Sequence, residues 1–92
     1  MARVDFTEIE SRFTSILERL GGLLSVAERR EVEDFIDVGE YGVALETLSS
    51  LLVEERKVFS AETLCEIAAL AETMGIRESV VTKALEEQAV SE

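Results

Sequence analysis

Ninety-two residues, 47% apolar and 32% charged, suit one small globular domain, and no apolar run approaches the ~18 residues needed to cross a bilayer. Twenty acidic residues against nine basic ones give a net charge of −11, which argues against nucleic acid and anionic membranes as partners, since both reward a basic patch. The single cysteine, Cys65, excludes an internal disulfide and fits a reducing compartment.

In chain order, the opening "MARVDFTEIE" lacks the apolar centre of a signal peptide, so a cytoplasmic protein is expected. Phe6, Ile9, Phe13, Ile16, Leu17 and Leu20 recur at three- and four-residue steps, the stripe of a first amphipathic helix. Asp5 with Glu8 has capping-box spacing, and Gly21-Gly22 is the stop. Ser25 with Glu28 caps a second helix, which turns Val32, Phe35 and Ile36 inward and stops at Gly39. Tyr41, Ala44, Leu45, Leu48, Leu51 and Leu52 share one face of a third, and "EERKVF" breaks its pattern. Ser60 caps a fourth helix with Leu64, Ile67, Ala68, Ala71 and Met74 inward and Gly75 as its stop. A last helix follows, with Ile76, Val80, Val81, Ala84 and Leu85 on the core side.

There is no proline, and no strand-like alternation persists. The predicted fold is all-α: a compact bundle of about five short helices arranged as helical hairpins. It forms one domain over residues 1–92, with a frayed end from about Gln88.

The usual chemical groups are missing. Without histidine, the commonest general base and metal ligand is gone. Cys65 lies near Glu62 and Glu66, the wrong surroundings for a thiolate, and reads as a packed or semi-buried side chain. No phosphate loop, nucleophile elbow or calcium loop is present. The expectation is therefore no enzyme, no cofactor and no metal.

Charge is the informative feature. Between Glu31 and Glu55 lie eight acids and no Lys or Arg. Ordinary solubilising surfaces mix signs, because like charges on one face repel. Placing Phe35 and Ile36 inward turns Glu33, Asp34 and Asp37 outward, with Val38 off the core face. In the next helix Val43, Glu46 and Val53 are left outside, and Glu40 stands at the favourable N-terminal end of its dipole. Gly42, inside the first turn, has two readings: close approach by a neighbour or partner, or part of a tight corner with Tyr41 as a core plug. The candidate partner-binding residues are thus Glu33, Asp34, Asp37, Val38, Glu40, Gly42, Val43 and Glu46, carboxylates for steering and valines for apolar hold. Solubility alone is the competing reading of the acidity.

The stretch "FIDVGEYGVALETLSSLLVEE", Phe35 to Glu55, resembles the central motif of the MafI-type group of bacterial immunity proteins, which includes contact-dependent growth-inhibition immunity proteins. "FSAETLCEIAALAETMGI", Phe59 to Ile76, is similar to that family's next helix, with its Met-Gly-apolar stop. The likeness spans roughly Val32 to Ile76. Matching positions are Gly39, Glu40, Tyr41, Gly42, Ala44, Leu45, Glu46 and Leu48. The resemblance implies a small, largely helical protein that protects a cell from a cognate toxin, often an RNase such as an EndoU-type nuclease, and it carries no catalytic role. The expected partner is a toxin with a basic, nuclease-like domain. The alternative is a small homodimeric structural or adaptor protein whose exposed valines form a two-fold interface.

Overall fold

A computed structural model describes residues 6–90, and Asp5, the expected first member of a capping box, lies outside them. The described residues form six α-helices: α1 (Phe6–Leu20), α2 (Val26–Asp37), α3 (Tyr41–Glu54), α4 (Ala61–Thr73), α5 (Arg77–Val80) and α6 (Lys83–Gln88). Two short strands, β1 (Phe59–Ser60) and β2 (Ala89–Val90), complete the order. No helix among them is long and apolar enough to cross a membrane.

The helix ends follow from local chemistry. Ser25 and Glu28 close a complete capping box, with Glu28 N–H donating to Ser25 Oγ at 3.0 Å and Ser25 N–H to Glu28 Oε1 at 2.8 Å. Ser60 and Thr82 start α4 and α6 by accepting from the N–H of Thr63 and Leu85. Three helices end in the same left-handed motif. Gly39, Arg56 and Gly75 have positive φ, and the next residue's N–H reaches back five positions: Glu40 to Phe35, Lys57 to Leu52, Ile76 to Ala71.

Helix α3 is the hub of the core. It buries Ala44, Leu45, Leu48, Ser49 and Leu52, packs along α2, and meets α4, α5 and α6. Helix α1 contributes Ile9, Phe13, Ile16, Leu17 and Leu20, and α4 contributes Ile67, Leu70 and Ala71, all joined in one apolar cluster. Arg19 of α1 bridges Glu62 and Glu66 of α4 across the surface. The buried Ser49 hydroxyl donates to the Val80 carbonyl at 2.6 Å, fastening α5 to α3.

The mostly helical expectation stands, with local corrections. A parallel pair is present, Phe59 opposite Ala89 and Ser60 opposite Val90. Within the segment expected to fray, Gln88 Nε2 donates to the Lys57 carbonyl at 2.6 Å and Ala89–Val90 lie beside β1, while residues 91–92 lie outside the described residues. The single last helix is two, because Val81 leaves helical geometry and Thr82 caps a new start, and Ala84 consequently points to solvent. Cys65 is exposed, since α4 buries Thr63, Ile67 and Leu70, a face turned away from it. Phe6 is exposed, as Ile9 is the first residue of its stripe that other elements cover. Val53 packs against the core, and Tyr41 is half-buried rather than a core plug.

Candidate functional site

The Gly39 turn aims α3 so that Tyr41, its first residue, faces α1. The Tyr41 hydroxyl donates to Glu10 Oε2 at 2.6 Å. The Phe6 ring stacks on Tyr41 with centroids 5.5 Å apart and planes inclined by 29°. Phe6 is therefore held in place while remaining 63% exposed. The Tyr41 phenol is raised above its ordinary value of 10.0, first by its hydrogen bond to Glu10, then by desolvation, then by the negative charge of Glu10.

Next to this pair opens a groove of about 530 Å³. Phe6, Ile9, Tyr41 and Val43 line one part of it, and Met74 and Ile76, flanking the Gly75 stop of α4, line another. Glu40 stands among its lining residues, and no Lys or Arg among the described residues lines it. A second hollow, of about 350 Å³, includes Glu10, so that Glu10 links the two. It gathers three carboxylates, Glu10, Glu33 and Asp37, around one guanidinium, Arg29, whose Nε is 3.1 Å from Glu33 Oε2.

The residues expected at the site fall into groups. Glu40, Gly42 and Val43 share the groove, and Glu33 and Asp37 share the second hollow. Asp34 and Val38 are exposed around the end of α2, Val38 by 70%. Glu46 departs from the outward patch: it is half-buried and accepts from the Ser79 hydroxyl at 2.8 Å. Glu33 is likewise half-buried and paired, not freely outward. At Gly42 a Cβ would meet only Ile76 Cδ1 at 3.7 Å, an ordinary contact, so close packing by a neighbouring helix does not require glycine there.

Sequence reasoning missed Phe6, Ile9, Met74 and Ile76 as groove residues. The apolar pair flanking Gly75 was the available signal, because residues around a helix stop often pack back on a neighbour. Among the described residues no group of three or more His, Cys, Asp or Glu is placed to hold a metal ion. The arrangement offers apolar area beside the Glu40 carboxylate.

In comparisons with known proteins, no family model, no curated protein and no solved structure matches this chain.

Proposed function

We propose that this chain is an immunity protein, which binds a cognate toxin with a basic, nuclease-like domain and neutralises it stoichiometrically, without chemistry of its own. One observation carries the reading. A segment with eight acids and no base, Glu31 to Glu55, also exposes Val38 and exposes Val43 where it lines an apolar groove. A nuclease presents a basic cleft to its substrate phosphates, and a carboxylate-rich surface can occupy those positions. The likeness of Phe35–Glu55 to the MafI-type motif supports the same reading.

The test is co-expression with the product of the adjacent gene. A one-to-one complex that abolishes that product's toxicity is expected. Absence of any toxic neighbour, or toxicity undiminished by this chain, overturns the reading. A homodimer in sedimentation that dissociates on changing Val38 or Val43 would put the adaptor reading in its place.

A further inference from the structure

The groove beside Tyr41 has more specific geometry than a diffuse acidic face requires. Two of its residues are large exposed hydrophobics, Phe6 at 63% and Val43 at 41%. Phe6 is fixed by its stack on Tyr41, and Tyr41 by its bond to Glu10, so this apolar wall is preorganised. The volume falls within the ~300–1,000 Å³ typical of ligand pockets. Among the described residues the charge lining the groove is negative, and Arg29, in the adjoining hollow, is paired with Glu33. Glu40 lines the groove, Glu10 adjoins it through Tyr41, and exposed Asp37 precedes the turn by two residues. Arg77, beside Ile76, lies 3.5 Å from Glu72 and is paired.

We infer that this groove is the anchor for a basic amphipathic segment of the partner: an apolar side chain enters between Phe6, Val43 and Met74 while flanking Lys or Arg meet Glu10, Glu40 and Asp37. This rests on the toxin-binding reading above and names the part of the partner that is recognised. Glu10 keeps acceptor capacity for a cation while it accepts from Tyr41, because a carboxylate offers about four lone-pair sites. A second copy of this chain is the poorer occupant. A two-fold contact here would bring together two copies of one acidic patch, on two molecules each of charge −11.

The probe is a fluorescein-labelled helical peptide with leucine at i, i+3, i+4 and i+7 and lysine elsewhere. A scrambled peptide of the same composition and a glutamate-for-lysine version accompany it. Anisotropy titrations should show binding of the patterned lysine peptide, weaker binding of the scrambled one and none of the glutamate one. Amide shifts in the wild-type chain should centre on Tyr41–Ala44 and Thr73–Ile76. Val43→Arg should weaken binding about ten-fold, as loss of an interface anchor does, while Val58→Arg, the same charge change at a 56% exposed valine, should stay within about two-fold. Equal loss in both variants, equal binding of the scrambled peptide, or shifts centred elsewhere overturns the inference. The two proposals fail separately. A toxin that still binds V43R at full strength removes the groove and leaves the immunity reading. A peptide that docks as described, in a chain without a toxic neighbour, does the reverse.

Discussion

Tyr41 and Glu10, 31 positions apart, are joined by a 2.6 Å hydrogen bond that ties the first turn of α3 to α1. The bond needs a protonated phenol. Folding therefore favours the proton, and Tyr41 titrates above 10.0. The stabilisation is complete below pH 10.0 and is lost as pH rises through the raised value. Tyr41 is the chain's sole tyrosine and there is no tryptophan, so ultraviolet absorbance follows it alone. Glu10→Gln removes the carboxylate charge and should lower the midpoint toward 10.0. An unchanged midpoint in that variant would show that Glu10 does not hold the proton.

Packing gives a contrast between two residues of similar sequence appearance. Leu48 is completely buried at the centre of α3, and Leu48→Ala should cost ~2–5 kcal/mol in urea unfolding. Phe6→Ala removes an aromatic pair on the surface and should cost no more than ~1.5 kcal/mol. The reverse order would mean that the N-terminal turn of α1 belongs to the core.

Ser49 is one of two buried polar side chains among the described residues. Its hydroxyl satisfies the Val80 carbonyl, at the end of the four-residue α5. Ser49→Ala takes away the donor and leaves a buried acceptor, at a cost of ~1–3 kcal/mol. Amide exchange should rise first in α5, because this bond joins it to α3. Uniform acceleration over the whole chain would argue that α5 has no separate stability.

Arg56 occupies the left-handed position that Gly39 and Gly75 fill in the same motif elsewhere. A side chain there is strained by ~1–2 kcal/mol, partly offset by the larger unfolded-state entropy of glycine. Arg56→Gly should thus stabilise by ~0.5–1 kcal/mol, and Gly39→Ala should destabilise by ~1 kcal/mol. Thermal unfolding of both variants checks the pair of signs.

Much of the fold was legible because helix ends carry their chemistry in short range. Ser25 with Glu28, Ser60, Gly39 and Gly75 each act within five residues. The third left-handed stop was hidden because arginine stands where glycine is usual. The β1–β2 pair was hidden for another reason: its partners lie thirty positions apart and each strand has two residues, too few for an alternation to register. The site was legible only along its own segment. Glu40, Gly42 and Val43 lie on "DVGEYGVALETL", but Phe6, Met74 and Ile76 join them through tertiary contact, which no local spacing reports. Glu46 was misplaced because its angular position faces α5, an element whose location depends on the break at Gly75.

Glu33 is bonded to Arg29 and Glu46 to Ser79, so reversing either disturbs a local contact as well as the field. Asp34, Asp37 and Glu40 are exposed and form no side-chain bond among the described residues, which makes their reversal to lysine the cleaner change. The control is reversal of Glu18, Glu86 and Glu87, also exposed and without a side-chain bond among the described residues, which alters net charge equally at other positions. Both triple variants should keep the helical circular dichroism of the wild type, because exposed charges contribute little to stability. Association of the wild type with the adjacent gene's product should slow as salt is added, since steering is screened over a Debye length of ~8 Å at physiological ionic strength. The Asp34, Asp37 and Glu40 variant should associate more slowly, show a flatter salt dependence, and fail to protect cells. The control should lose only the part owed to net charge. Equal loss in both would assign recognition to total charge and remove the α2–α3 turn as its focus, because a localised field is the one thing that separates the two variants.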